Sequence, residues 1–272
     1  MIVAAADVKD GAEYDLIVVG AGAGGLAAAL FAAIAGRSVL LVERTEYIGG
    51  TTALSAGTAW LPGSSHSRGD DRATVSRFLD GVVGNYAPRA LREAFLDSAP
   101  AAVAALEAHS EVKFRPYPLH PDYEQQVEGA TLSGRALEPL PFDARPLGRA
   151  LDALRPPIPE FTVLGGMMVD RRDINHLLAM TKAWDSALHS AKILARYGLD
   201  RLQGRRGTRL VMGNALVARF LLSLRQRGVT IVTRAEVESL AREGGRVSGL
   251  TLSGGGARRA LRARLGVVLA GG

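Results

Sequence analysis

Six consecutive residues, Gly20-Ala21-Gly22-Ala23-Gly24-Gly25, constrain this chain more than any other stretch. They separate an apolar run, Tyr14–Val19, from an alanine- and leucine-rich run, Leu26–Ala35, that stops at Gly36. The first run suits a fully buried parallel strand. The second suits a helix with Gly36 as the residue just past its end. Ser38–Val42 is a further β-branched and leucine run, and it ends in Glu43. Strand, glycine turn, helix and strand in close succession make a βαβ unit.

Each glycine of a G-x-G-x-x-G turn in that setting has a physical role. Gly20 makes the tight turn, Gly22 lets backbone approach a pyrophosphate, and Gly25 lets helix and strand pack closely. The helix N-terminus adds free N–H groups and a partial positive charge. Glu43 follows at about twenty residues, where a carboxylate accepts hydrogen bonds from ribose hydroxyls and repels a 2′-phosphate. These features do not separate NAD from the ADP half of FAD. The loop Gly49-Gly50-Thr51-Thr52-Ala-Leu-Ser55-Ala-Gly57 favours FAD, because it lies where a longer ligand continues beyond its pyrophosphate.

Composition narrows the remaining classes. The chain has 272 residues, 47% of them hydrophobic and 22% charged, an ordinary globular balance. It has no cysteine, which excludes disulfides, zinc–cysteine sites and iron–sulfur clusters within it and fits a cytoplasmic location. The net charge of +6 is carried almost entirely by arginine, scattered apart from short pairs at Arg171-Arg172, Arg205-Arg206 and Arg258-Arg259. Without a basic stripe interleaved with aromatics, nucleic acid is not an expected partner. Leu16–Ala35 carries no charge and has the length of a membrane span, but its glycines divide it into strand and helix, so no span is expected.

Along the chain, Met1–Ala12 reads as a loose leader. Arg72–Gly84 and Arg89–His109 read as helices, and residues 115–159 as proline-rich and irregular with short strands. Asp173 is placed to cap one long helix through Tyr197, and Asn214–Arg227 to form another, closed by Gly228. Val229–Thr233 reads as a strand. Val237–Arg242, Arg246–Leu252 and about Arg259–Arg264, joined by Gly244-Gly245 and Gly254-Gly255-Gly256, signal a β-meander. Leu265–Ala270 reads as one more buried strand. The fold class is therefore α/β, Rossmann-like, with a β-meander.

Several segments together resemble the fumarate reductase/succinate dehydrogenase flavoprotein superfamily, and within it the 3-ketosteroid Δ1-dehydrogenase-like branch. They are Gly20–Gly25, Val42-Glu43-Arg44, Gly49-Gly50-Thr51-Thr52, Ser55-Ala-Gly57-Thr-Ala-Trp60-Leu-Pro62, the stretch from Gly207-Thr-Arg209 to Gly213-Asn-Ala-Leu216, and Val268-Leu-Ala-Gly-Gly272. The resemblance implies a two-dinucleotide-binding FAD fold. It implies that Gly20, Ala21, Gly22, Gly24, Gly25, Glu43, Arg44, Gly50, Thr51, Thr52, Ser55, Gly57, Val237, Ala270 and Gly271 line the cofactor. Glu43 would take the adenosine ribose and Val237 the adenine through its backbone. Thr51, Thr52, Ser55 and Gly57 would lie near the pyrophosphate and isoalloxazine.

In this branch a 3-oxo steroid ring loses adjacent hydrogens, one as hydride to the flavin and one as proton to a tyrosine. Tyr117 and Tyr123 are the candidates in Arg115–Tyr123, and Tyr123, within Pro121-Asp122-Tyr123, is the one that fits. The five histidines have no metal spacing; His176 and His189 fall far apart on one expected helix. Ser55 has no evident histidine partner. Family members are about twice as long, which implies a single FAD-binding domain (1–63 βαβ and cofactor loop, 64–206 insertion, 207–272 return segment) without its substrate cap. No turnover is then expected from this chain alone, and a complementing C-terminal chain is a possible partner beside a steroid-like small molecule. A non-catalytic FAD- or ADP-binding module is the alternative.

Overall fold

The uncharged runs on either side of the glycine turn form the elements that their composition demands. The computed structural model describes residues 1–67, 70–203 and 206–272, so Arg205 of the Arg205-Arg206 pair lies outside it. The chain opens with β1 (Ile2–Val3), β2 (Glu13–Val19), α1 (Ala23–Ile34) and β3 (Val39–Val42). β2 and β3 are parallel neighbours, with Leu16 opposite Val39 and Val19 opposite Val42. A parallel pair needs a crossover, and α1 supplies it. Ile17, Val18, Leu40 and Leu41 are wholly buried, as are Leu26, Ala29 and Leu30 on one face of α1.

The described residues divide into two compact units, 57–140 and the remainder, 1–56 with 141–272. The expected insertion, residues 64–206, is thus shared between them. The smaller unit holds β4 (Ala59–Trp60), α2 (Arg72–Val83), α3 (Arg89–His109), β5 (Phe114–Pro116) and β6 (Ala136–Pro139), the strands in antiparallel order β4-β6-β5. Asp71 caps α2 by accepting from the Ala73 amide at 2.9 Å.

The larger unit resumes with β7 (Phe142–Asp143), β8 (Thr162–Val163), β9 (Met167–Met168), α4 (Arg171–Leu178), α5 (Trp184–Leu202), β10 (Arg209–Leu210) and α6 (Met212–Gln226). It ends with β11 (Thr230–Val232), β12 (Glu236–Glu243), β13 (Arg246–Gly254) and β14 (Ala257–Leu269). One seven-stranded sheet, β1-β11-β3-β2-β14-β13-β12, organises this unit. Its first five strands are parallel, and β12–β14 add the antiparallel meander. At the hairpin between β12 and β13, Gly244 and Gly245 both have positive φ (56° and 79°), the primed turn that matches strand twist. Ala5, Val8, Ile17, Leu40, Val42, Leu250, Leu252 and Leu261 belong to one apolar core on this sheet.

Three expectations are corrected. The leader is not loose: β1 pairs with β11, the terminal ammonium donates to the Val229 carbonyl at 2.6 Å, and Ala5 and Val8 are buried. The long helix is two. Asp170 caps α4, with Asp173 at the third position of a reciprocal capping box, and residues 179–183 turn the chain into α5, which runs past Gly198. The last two expected strands are one. β14 leaves the meander and continues beside β2 through a register shift between Ala263 and Gly266, and its far end is not buried, since Leu265 and Leu269 are exposed.

Candidate cofactor site

The site is assembled from the carboxyl ends of β2, β3 and β14, where open α/β sheets bind ligands. The Gly20 amide donates to the Val42 carbonyl at 2.7 Å and the Ala270 amide to the Val19 carbonyl at 2.7 Å, which ties the three strand ends together. Gly20 has φ +102°, and a Cβ there would meet the Ala270 carbonyl oxygen at 2.2 Å; a Cβ on Gly25 would meet the Gly20 carbonyl oxygen at 1.8 Å. Both glycines are therefore required by packing. Gly22 and Gly24 differ: a Cβ on either meets nothing within 4 Å. Gly22 is the N-cap of α1 and offers no side-chain cap to the first amides. Open space over a helix end whose N-cap residue has no side chain is what a pyrophosphate requires.

Glu43 is buried at the end of β3. One carboxylate oxygen accepts from the Ala21 amide at 2.9 Å, and the other from the Thr45 amide and hydroxyl at 2.8 and 2.9 Å. Arg44, exposed, lines a cavity of about 560 Å³ with Thr45, Glu46, Arg234, Glu236, Ser253 and Gly254. Val237 follows Glu236 on β12 and is half-buried.

The cofactor loop returns to the same place. The Gly49 amide donates to the Ala21 carbonyl at 2.8 Å, and Thr52 Oγ1 accepts from the Ala23 amide at 3.1 Å. Gly50 lies against Gly22, a Cβ on it falling 3.2 Å from the Gly22 Cα. Thr51 and Ser55 are exposed, with the Ser55 hydroxyl donating to the Thr52 carbonyl at 2.8 Å. Gly271, also exposed, follows Ala270 at the end of β14. Gly57 is the first residue of the smaller unit.

Two residues outside the expected set hold this loop. A Cβ on Gly213 would stand 1.9 Å from the Thr52 carbonyl oxygen, and the Gly213 amide donates to the Ser55 carbonyl at 3.0 Å. Asn214, fully buried, donates to the Ala53 carbonyl at 2.7 Å and accepts from Arg206 at 2.9 Å. Burial lowers the Arg206 guanidinium to about 10. The Gly213-Asn214 pair opening an apolar helical run was the available sequence signal.

In the smaller unit, Tyr123 is 91% exposed and borders a cavity of about 370 Å³ walled by Trp60, Phe78, Leu79, Val82 and Ala136 together with Thr58, His120, Asp122 and Glu124. Beneath it lies a charge network. Arg135, 2% exposed, donates to Asp122 at 2.8 Å and to Asp70 at 2.9 Å, and Asp122 also accepts from the Trp60 indole at 2.8 Å and the Thr131 amide at 3.0 Å. The ring of His120 lies between Tyr117, at 5.0 Å, and Tyr123, at 6.0 Å. His176 and His189, expected to be remote from each other, are brought to 4.3 Å by the α4–α5 turn.

A parallel sheet with a glycine turn, an open helix N-terminus and an acid after the next strand defines a dinucleotide-binding domain of the flavoprotein type. The FAD binding domain family matches residues 15–272, and the chain belongs to that family; its cofactor is FAD. It is 37% identical to the 4-oxocyclohex-2-ene-1-carboxylate 5-dehydrogenase of Sinomonas cyclohexanicum over 95% of this chain and 44% of that protein. It is 34% identical to the 3-oxosteroid 1-dehydrogenase of Mycolicibacterium smegmatis over 96% of this chain and 47% of that protein. Among solved structures, 3-ketosteroid Δ1-dehydrogenase from Sterolibacterium denitrificans, in complex with 1,4-androstadiene-3,17-dione, superimposes with a TM-score of 0.87 at 34% identity, covering 96% of this chain and 48% of that one. A flavocytochrome c3 fumarate reductase shares the fold at a TM-score of 0.52 and 15% identity. The chain thus spans about half the length of the relatives it matches. No helix among the described residues is long and apolar enough to cross a membrane.

Proposed function

We propose that this chain is the FAD-holding part of a dehydrogenase that takes adjacent hydrogens from a CH–CH group beside the carbonyl of a cyclic ketone. The observation that carries the binding half of this reading is the open space at Gly22 and Gly24 over the N-terminal end of α1. Those backbone N–H groups hold the pyrophosphate. Glu43 accepts the adenosine ribose hydroxyls, and Arg44 and the Val237 backbone flank the adenine. Gly50, Thr51, Thr52 and Ser55 follow the cofactor away from the pyrophosphate, held by Gly213 and Asn214, and Ala270-Gly271 closes the opposite wall. FAD, when bound, supplies the hydride acceptor.

The chemical half rests on Tyr123. Its side chain borders the apolar cavity and, as the phenolate after giving its own proton to the solvent it is exposed to, takes the proton from the carbon next to the substrate carbonyl. Among the described residues, the walls of the cavity include Asp122 and Glu124 and no arginine or lysine, a lining that suits a neutral, steroid-like ring system better than an anionic one. Both relatives named above act, by their names, on ring ketones, one of them a carboxylate.

Two titrations test the reading separately. Added FAD is expected to bind with a shifted flavin absorption band and quenched fluorescence; protein that takes up no FAD would refute the binding assignment. Added 4-androstene-3,17-dione is expected to perturb the emission of Trp60, which lines the cavity, and this is read in a Trp184→Phe background. An unchanged spectrum at saturating steroid rejects the substrate class while leaving the FAD site standing. A dye-coupled assay on the longest natural chain containing these residues, with Tyr123→Phe beside it, tests the proton transfer.

A further inference from the structure

Arg206 is a half-buried cation without an acid. Its guanidinium donates to the Leu154 carbonyl and to the Asn214 side-chain oxygen, each at 2.9 Å, and among the described residues no carboxylate forms an ion pair with it. Burial outweighs the more distant Asp152 and Tyr47 and lowers it to about 10. A cation drawn out of water and held by neutral groups alone is costly, and an anion beside it removes that cost. The same residue lines a cavity of about 430 Å³ in the larger unit, with Pro156, Pro157, Pro159, Met168 and Leu210. Among the described residues that line it, Arg206 is the one charged group. The prolines bring no N–H, and the Thr162 hydroxyl donates to the Pro159 carbonyl at 2.8 Å. The β8–β9 turn, which reaches the cavity through Gly165 and Gly166, holds Leu164 at φ +51°, with the Tyr197 hydroxyl donating to its carbonyl at 3.2 Å. A left-handed leucine is strained, and strain of this kind clusters at ligand clamps.

We propose that this cavity is a binding site for a small amphipathic carboxylate, its charged head paired with Arg206 and its apolar body lying against the prolines, Met168 and Leu210. A guanidinium offers two parallel N–H groups to a carboxylate, a pairing that a neutral head cannot match. The volume is that of a small-molecule site, and an apolar lining with one placed charge is the usual composition of such a site. Proline walls and a turn already held in its bent form lose little freedom when a ligand enters. An inorganic anion would satisfy Arg206 but leave its other oxygens facing apolar walls, so the apolar body is part of the assignment. An acidic side chain from the remainder of a longer chain could make the same ion pair, and the experiment separates the two. The proposal does not rest on the assignment of FAD or of Tyr123.

Calorimetric titration with octanoate, 1-octanol and acetate tests it, on this chain and on the longest natural chain that contains these residues, each with and without FAD. Octanoate is expected to bind at one site, 1-octanol at least about tenfold more weakly for want of the charged hydrogen bonds, and acetate not measurably. Arg206→Gln keeps an amide donor but loses the charge, and is expected to weaken octanoate at least about tenfold. Because Arg206 also holds Asn214, a second variant leaves it in place: Pro156→Glu sets an acid on the lining and is expected to abolish octanoate binding. Pro156 is exposed in an irregular segment, so circular dichroism and the melting midpoint should stay as in wild type. No octanoate binding, equal binding of octanoate and 1-octanol, or binding unchanged in both variants overturns the proposal. So does displacement of octanoate by FAD, which would put it in the cofactor site. Binding to this chain but not to the longer one overturns it as well, because the rest of that chain is then the occupant.

Discussion

Gly20 and Ala270 lie so close that a methyl group on the first would stand 2.2 Å from the carbonyl oxygen of the second. The turn after β2 and the end of β14 therefore exclude any side chain between them, and Gly20 also has φ +102°. Backbone cannot yield as a flexible side chain can. Gly20→Ala is expected to destabilise the fold by about 2–3 kcal/mol through strain and displaced strand ends. That lowers the melting temperature by several degrees, at roughly 2–4 °C per kcal/mol for a chain of this size. A melting curve followed by circular dichroism is the measurement, and an unaltered midpoint would show that the contact is relieved cheaply.

Gly22→Ala separates packing from binding. Its Cβ meets nothing within 4 Å and its φ of −78° suits any residue. Stability should stay within about 0.5 kcal/mol of wild type, or rise slightly because alanine restricts the unfolded chain. The methyl group nevertheless occupies the space over the α1 amides. FAD affinity is expected to fall at least about tenfold, which corresponds to about 1.4 kcal/mol. Equal FAD titrations for variant and wild type would mean that the pyrophosphate lies elsewhere.

Glu43→Gln tests the ribose acid. Both carboxylate oxygens accept N–H or O–H groups, so an amide nitrogen at either position sets donor against donor in a buried place. The cost is about 1–3 kcal/mol in stability. Weaker FAD binding accompanies it, because the ribose hydroxyls lose an acceptor. Denaturation and FAD titration are read on the same preparation; a destabilised variant with unchanged FAD affinity would reduce Glu43 to a purely structural role.

What was legible in the sequence followed local rules. The positions of Gly20, Gly25 and Glu43 at the turn and at the strand end could be read because strand, turn and helix signals are contiguous, whereas the contact of Gly20 with Ala270 comes from a strand about 250 residues on. The helix Arg89–His109 was legible for the same reason. The α4–α5 break was not, since Ala179–Ala183 carries neither glycine nor proline, and the turn is stabilised from outside by Asp173 meeting His189 and Ser186 meeting His176. β1 was missed because two residues, Ile2 and Val3, have no periodicity to read; they become a strand only because β11 offers an edge. Gly213 and Asn214 stand out locally as a pair opening an apolar helical run, but the loop they act on is far away in sequence, so their partner was not legible.

Arg135 is the test of the Tyr123 side of the molecule. It is buried between Asp122 and Asp70, and its guanidinium stands over the Phe78 ring at 5.3 Å. Arg135→Met leaves two buried carboxylates facing each other without a cation, which typically costs 3–5 kcal/mol, or about 4 here. Because Asp122 precedes Tyr123 and holds the Trp60 indole, the cavity wall should loosen as well. Chemical denaturation gives the first number. A red shift of Trp60 emission reports the second, and a variant of wild-type stability would show the network to be dispensable.

Asp173 makes a pH prediction whose sign is fixed by its partners. Burial alone would raise its carboxyl, but the Asp170 amide, the Arg209 fork at 2.8 and 3.0 Å and His189 at 2.8 Å outweigh burial and hold it below the usual carboxylate range. A group whose folded pKa is depressed contributes stability fully above its unfolded value, about 3.9 for aspartate. That contribution is lost as pH falls through the folded value. Asp173→Asn should therefore be clearly less stable than wild type near neutral pH. The gap should close as pH is lowered below about 4, because wild type then loses what the variant never had. Urea midpoints of both proteins across that range measure it. A gap that widens in acid would mean that Asp173 is protonated in the folded chain, and that Arg209 and His189 are not the partners that define it.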